Sequence, residues 1–340
     1  MITDASSSPP AHHPANRRLV DALYARGIID RDGRNLALEI ISPADRWGVW
    51  ASRLLLAIGT ALTLAGIVFF FAFNWAKLSP LSKFATIETA LIVCLIGASL
   101  YSLRRPNGQA LLLAASVLVG VFMAVFGQIY QTGADAYQLF VMWAALTLGW
   151  TVLSKYAAQW IMWLIIANLG LVLWWSQAAE PGEDMQFMIF TYMILFNGLA
   201  VAAREYCAII RSMPWLQARW VRLVLITPTL IIMLIPIMVA AAAPERATPA
   251  IWISASFALF GHLAAFYLYR YRDLDRHALA AVLLSLAIGL ETVVFRLISE
   301  VDPESYIVIF FVVGLTTLCL FAGIIGYLKA ILRQGDTPHA

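Results

Sequence analysis

Charge is scarce in this sequence: 13% of its 340 residues are Asp, Glu, Lys or Arg, and 61% are hydrophobic. Soluble domains carry about 25% charged and 45–50% apolar residues, so a chain of one or two water-soluble domains is excluded. A mean hydropathy of +0.79 means that lipid solvates most of the apolar surface. Cysteine is scarce as well. Cys94, Cys207 and Cys319 are the only three, each within or at the end of an apolar stretch, which excludes a disulfide framework and a cysteine metal site. They read as small packing residues. Missing too are a phosphate-binding Gly-x-x-x-x-Gly-Lys-Ser/Thr loop, a His-Glu-x-x-His helix, a Gly-x-Ser-x-Gly elbow and a Cys-x-x-Cys pair, so the common nucleotide, zinc and acyl-transfer chemistries have no foothold. No cofactor is expected. A signal peptide is not expected either, since the first apolar stretch begins near Leu54 behind a polar segment too long for an n-region.

Long apolar runs are what the sequence has instead. About 20 apolar residues cross a ~30 Å hydrocarbon core as a helix, and ten stretches qualify: about 54–73, 84–103, 110–127, 136–153, 157–176, 186–203, 222–243, 250–269, 278–298 and 305–328. The connectors are short and leave no room for a soluble domain between spans. The expected fold is all-α: a polytopic membrane helix bundle of about ten transmembrane helices. With both termini in the cytoplasm, 19 of the 23 Lys and Arg lie on the inner side, and only Lys77, Lys83, Arg246 and Arg296 lie outside, as the positive-inside rule requires. The outer loops carry Asp135, Glu180, Glu183, Asp184, Glu245, Glu300, Asp302 and Glu304.

Residues 1–13, rich in Ser, Pro and His, read as a disordered tail. Residues 14–48 read as a cytoplasmic helical hairpin. Leu19, Val20, Leu23 and Tyr24 have helical spacing, Gly27 sits where a C-terminal glycine ends a helix, and Asp30 can cap a second helix that stops at Ser42-Pro43. Residues 49–330 form the bundle and 331–340 a C-terminal tail. The basic head mixes Arg with acids beside a membrane; its charge reads as topogenic, with attraction to anionic lipid, and no nucleic-acid partner is expected.

The stretch Phe71-Ala72-Phe73-Asn74-Trp75-Ala76-Lys77-Leu78-Ser79-Pro80-Leu81-Ser82-Lys83-Phe84-Ala85-Thr86-Ile87-Glu88, with Gly27-Ile28-Ile29 before it and Phe126-Gly127-Gln128-Ile129-Tyr130-Gln131-Thr132-Gly133-Ala134-Asp135-Ala136-Tyr137 after it, resembles an uncharacterised bacterial family of predicted membrane proteins, domain of unknown function 2157. The resemblance is clearest over about residues 14–150. It implies a bacterial inner-membrane protein with an N-terminal helical hairpin and many spans. The family carries no established activity, so no residue inherits a role.

Ionisable groups at membrane depth are costly and mark functional sites by default. Glu88 lies one turn inside the second span and Glu291 in the outer part of the ninth. Arg296 is placed to meet Glu300 at i+4 or a carboxylate of another helix such as Glu88. Gln128, Tyr130, Asp135 and Tyr137 add amide, phenol and carboxylate groups at the same depth. The expected site is an outward-facing polar pocket lined by Glu88, Gln128, Tyr130, Asp135, Tyr137, Glu291 and Arg296; the alternative is that these residues tie short loops together. Asn168, Asn197 and His262 read as single, scattered polar groups, and the inner half of the bundle holds no comparable cluster. Small residues recur at four-residue spacing at Ala281, Ser285 and Gly289, at Ala145 and Gly149, and at Gly198 and Ala202, as helix-packing faces. Pro228 and Pro236 read as kinks in the seventh span.

The leading reading is a non-enzymatic multi-pass protein whose pocket binds a small ligand, a lipid headgroup or a segment of another membrane or periplasmic protein. Membrane lipids are its expected partners. A secondary transporter with five-plus-five inverted halves is the alternative. A membrane-embedded transferase or hydrolase with Glu88 or Asp135 as base ranks behind both.

Overall fold

The computed structural model describes residues 17–41, 75–301 and 306–335, with scattered positions between 48 and 73. The tail with His12 and His13, the Ser42-Pro43 stop, Asn74, the acids Asp302 and Glu304, and residues 336–340 lie outside the described residues. So does the expected first span over 54–73 as a whole, although its described positions, among them Leu54, Ile58, Leu62, Gly66 and Phe69, are helical. The chain divides into two units, Met1–Ser79 and Pro80–Ala340.

In the first unit, α1 (Arg17–Ala25) and α2 (Arg31–Ile41) pack as a hairpin. Gly27 takes φ +69°, a left-handed conformation that glycine adopts without a Cβ penalty. There its N–H donates to the Tyr24 carbonyl at 3.0 Å and the Ile28 N–H to the Leu23 carbonyl at 3.0 Å, the paired bonds that close a helix C-terminus. The Gly33 N–H donates to Asp30 Oδ1 at 2.7 Å, so Asp30 caps α2. Arg34 pairs with Asp21 at 2.7 Å across the hairpin and lies over the Tyr24 ring.

Among the described residues the second unit is built of nine long apolar helices: α3 (Pro80–Tyr101), α4 (Pro106–Tyr130), α5 (Ala136–Ser154), α6 (Ala157–Trp174), α7 (Met188–Ile209), α8 (Arg219–Ala242), α9 (Pro249–Tyr267), α10 (Arg276–Val301) and α11 (Tyr306–Gly335). All nine are long and apolar enough to cross a membrane, and no strand occurs among the described residues. The protein is therefore a polytopic helical membrane bundle. Pro80, Pro106 and Pro249 each open a span, at the position where a missing N–H costs no helical bond. Gln131, Lys155 and Glu180 turn the chain out of helices in left-handed conformations. α6 and α9 each end in a π-helical turn, Trp175–Ala179 and Leu268–Arg272. α8 stays continuous through Pro228 and Pro236.

Consecutive spans are antiparallel, so the connections sort to two ends of the unit. Residues 102–105, 155–156, 210–218 and 273–275 form a basic end, and residues 131–135, 180–187 and 243–248 an acidic end. Packing is mostly local: α3, α4, α5 and α6 pack in series, and α7 to α11 pack around α8 and α10, while α6 and α7 touch along little of their length. At that junction an apolar cavity of about 300 Å³ is lined by Val141, Trp163, Gly170, Trp174 and Phe196.

One of the three expected small-residue faces packs closely. A Cβ at Gly289 would meet the Ile237 methyl at 3.3 Å, whereas Cβ atoms at Gly149 and Gly198 would enter open space among the described residues. A closer approach between helices is one that spacing does not announce: Gly120 lets the Trp143 indole lie flat against α4, where its Nε1 donates to the Ser116 carbonyl at 2.7 Å.

Candidate functional site

The seven expected site residues occupy three places at or near the acidic end. Glu88 is exposed on α3, one turn past Phe84. The Phe84 ring stacks on Tyr130 of α4 at 6.0 Å, and Tyr130 also meets Phe126 at 4.7 Å, so an aromatic seam joins the ends of these two helices. Gln128 is exposed, two residues from both Phe126 and Tyr130 and so on the other side of α4. Asp135 stands at the N-cap of α5 in an extended conformation without a side-chain capping bond. The Tyr137 N–H donates to Gln177 Oε1 at 3.1 Å, which ties α5 to the π-turn of α6.

The third place lies on α10. Glu291 Oε1 accepts from the Thr316 hydroxyl of α11 at 2.7 Å, while its Oε2 is buried with no partner among the described residues. Arg296 donates to Glu300 at 2.6 Å, as the i+4 spacing predicts, and its second carboxylate is Glu245 at 3.5 Å rather than Glu88. Among the described residues no hydrogen bond, ion pair or ring contact joins Glu291 or Arg296 to the α3–α5 group. α3 packs on α4, and α10 packs on α8, α9 and α11.

Residues that read as single polar groups turn out to be paired across helices. Asn168 and Asn197 exchange two amide bonds, at 3.1 and 2.7 Å, over the sparse α6–α7 junction. His262 is fully buried, with Nδ1 2.9 Å from the Ala258 carbonyl and Nε2 2.8 Å from the Ser285 hydroxyl. A carbonyl can only accept, so Nδ1 carries the proton and Nε2 of the neutral ring accepts from Ser285. Gln159 donates to Ser116 at 2.7 Å, and Thr191 and Ser254 pair at 2.8 Å. In hydrocarbon each such pair removes a polar group that water cannot reach.

The largest polar cluster among the described residues sits at the basic end, where no cluster was expected. Glu205, on the last turns of α7, is 3% exposed. Its Oε2 accepts from Arg204 at 2.8 Å and Arg222 at 2.9 Å, and its Oε1 accepts from Arg222 at 3.0 Å and the Tyr269 hydroxyl at 3.1 Å. Arg222, in the first turn of α8, also pairs with Asp273 and, at 2.7 Å, with Asp275. Arg204 donates to the Leu216 carbonyl at 2.6 Å. Asp275 takes the N–H groups of His277 at 3.0 Å and Ala278 at 3.1 Å, capping α10. Burial works to raise the Asp275 carboxyl. The hydrogen bond and charge of Arg222 and the two backbone N–H groups outweigh it and hold the carboxyl below the usual carboxylate range.

Both oxygens of Glu205 are saturated, so this cluster has no acceptor left for a ligand there. It is a staple that joins the ends of α7 and α9 to the starts of α8 and α10. Its signal in the sequence is the alternation of Arg204-Glu205, Arg222 and Asp273-Leu274-Asp275 at three successive span ends. That pattern becomes meaningful only once those ends are known to meet. Among the described residues no group of three or more His, Cys, Asp and Glu side chains converges as a metal would need.

No curated protein and no solved structure matches the chain. Residues 21–160, which hold Glu88, Gln128, Tyr130, Asp135 and Tyr137 but not Glu291 or Arg296, match the model of the family described as predicted membrane protein (DUF2157).

Proposed function

We propose that this is a multi-pass protein of the bacterial inner membrane, with both termini cytoplasmic, that binds a small ligand or lipid headgroup from the outer side. The ligand contacts would come from Glu88, Gln128, Tyr130, Asp135, Tyr137, Glu291 and Arg296, and a segment of another membrane or periplasmic protein is the other occupant of that chemistry. One observation carries this reading: Glu291 Oε2 is buried within a span and unpartnered among the described residues, while Thr316 occupies Oε1. A buried acceptor left unmade costs ~1–3 kcal/mol, and more when charged, a cost that a ligand ammonium, amide or hydroxyl would offset. Native mass spectrometry of the protein in nanodiscs of its native lipids tests it. A co-purifying small molecule or headgroup should be retained by the wild type and its occupancy should fall about tenfold in Glu291→Gln, the loss of ~1.4 kcal/mol. Unchanged occupancy in Glu291→Gln and Glu88→Gln would make both carboxylates structural.

A second reading, a secondary transporter of five-plus-five spans, draws support from the sparse contact between α6 and α7. Counting the span expected over 54–73, that junction divides the spans into five and five. Two sets of helices joined along a short contact, by the Asn168–Asn197 pair, the Trp175 bond to the Gln186 carbonyl and the Trp163–Phe196 and Trp175–Tyr192 rings, could rock against each other, as alternating access requires. The same ligand should then exchange across proteoliposomes, and an Asn168→Cys, Asn197→Cys disulfide should stop exchange while sparing binding.

A further inference from the structure

Arg270 has a geometry that neither the staple nor the acidic-end site uses. It lies in the π-turn that ends α9, a helix irregularity found frequently at functional sites. The staple absorbs the neighbouring carboxylates: Glu205, Asp273 and Asp275 all face Arg222, and Glu205 also faces Arg204. Arg270 therefore has no carboxylate among the described residues. Its guanidinium is nevertheless held in place. Nε donates to the Tyr327 hydroxyl of α11 at 3.1 Å, and the group lies 5.1 Å over the Tyr271 ring. Both contacts leave the two terminal nitrogens unpartnered among the described residues, as a preoriented two-pronged donor.

An apolar track leads to this donor. α9 and α11 both pack on α10, and the Arg270–Tyr327 bond joins the end of α9 to α11. On α9 and its π-turn, Phe260, Leu263, Tyr267 and Tyr271 are all exposed at spacings of three and four residues, which is one helix face. Phe260 to Arg270 spans ten residues, ~15 Å of helix, half of a ~30 Å hydrocarbon core and so one leaflet.

We propose that Arg270 and the exposed α9 face below it bind one anionic phospholipid, with the phosphate diester held bidentately by Arg270 and positioned by Tyr327, and an acyl chain along the α9 face. A guanidinium fork matches two phosphate oxygens in geometry and charge, and an aromatic and aliphatic ridge beneath it matches a lipid and not a free ion. The site lies at the opposite end of α10 from Glu291, about 15 residues or ~22 Å away, and it stands or falls independently of the ligand proposed there.

The test is native mass spectrometry of the full chain in nanodiscs containing phosphatidylglycerol or phosphatidylcholine, with Arg270→Gln, Arg270→Lys, Tyr327→Phe and, as a control, Arg276→Gln. The wild type should retain one phosphatidylglycerol in preference to phosphatidylcholine. Retention should fall about tenfold in Arg270→Gln, about threefold in Arg270→Lys, which keeps charge but loses the fork, and about twofold in Tyr327→Phe. Arg276→Gln, an exposed cation on α10 and not on the α9 face, should change it little. Equal retention of the two lipids, or retention unchanged in both Arg270→Lys and Tyr327→Phe, would overturn the proposal even if Arg270→Gln misfolds. Release of the lipid by millimolar inorganic phosphate would assign the fork to a free anion and overturn the lipid assignment.

Discussion

Glu205 and Arg296 are both charged residues near span ends, and their surroundings give them different weights. Glu205 accepts from two guanidiniums and a phenol while buried, so Glu205→Ala leaves Arg204 buried without its carboxylate and Arg222 with only Asp273 and Asp275. Removing one partner of such a group costs ~3–5 kcal/mol, and chemical unfolding of the detergent-solubilised protein should show a loss of that size. Arg296 pairs with Glu300 and Glu245, both more than half exposed at the side chain; Arg296→Ala should cost less than about 1 kcal/mol by the same measurement. Comparable losses for the two would mean that the basic-end network does not hold the helices. The i+4 partner of Arg296 was legible from spacing alone. The partners of Glu205 were not, because Arg222, Tyr269 and Glu205 lie on three different helices.

Helix association in this protein is decided by where backbones can approach, and periodicity of small residues is a partial guide. The Ala281, Ser285, Gly289 face meets Ile237 of α8, while Gly149 and Gly198 face open space among the described residues. Without a hydrophobic force between helices in lipid, a small residue matters only if a bulky partner fills the hollow it leaves. Trp143 fills the hollow at Gly120. Gly120→Ala should therefore displace the indole, break its bond to the Ser116 carbonyl and destabilise by ~1–3 kcal/mol, with a shift in tryptophan emission. Gly289→Ala, where a side-chain methyl can yield, should stay within about 1 kcal/mol because alanine's helix propensity offsets the tighter contact. An equal cost at both positions would argue that the Trp143 contact is not what brings α4 and α5 together.

At the scale of the molecule, the distribution of charge between the two ends predicts orientation. A protein with cytoplasmic termini should react at Glu183→Cys with a membrane-impermeant maleimide applied to intact spheroplasts, and at Gln217→Cys only after permeabilisation, in a background lacking Cys94, Cys207 and Cys319. The reverse pattern would overturn both the positive-inside reading and the outward direction of the Glu291 site. The same experiment bears on the transporter reading, since inverted halves require the first and second sets of five spans to start from opposite sides.

Sequence alone determined that the chain is a helical membrane protein and where its spans from Pro80 onward run, because crossing hydrocarbon demands runs of about 20 apolar residues whatever their neighbours. It also revealed the α1–α2 hairpin, whose stop and cap are local bonds at Gly27 and Asp30. Only tertiary structure decided which polar groups meet. The pairing of Asn168 with Asn197, the closure of Arg204, Glu205, Arg222, Tyr269, Asp273 and Asp275 into one network, and the freeing of Arg270 that follows from it depend on how helices far apart in sequence turn their faces toward one another. That rotation is set by packing at positions such as Gly120 and Gly289, and a hydropathy pattern that is apolar on nearly every face does not encode it.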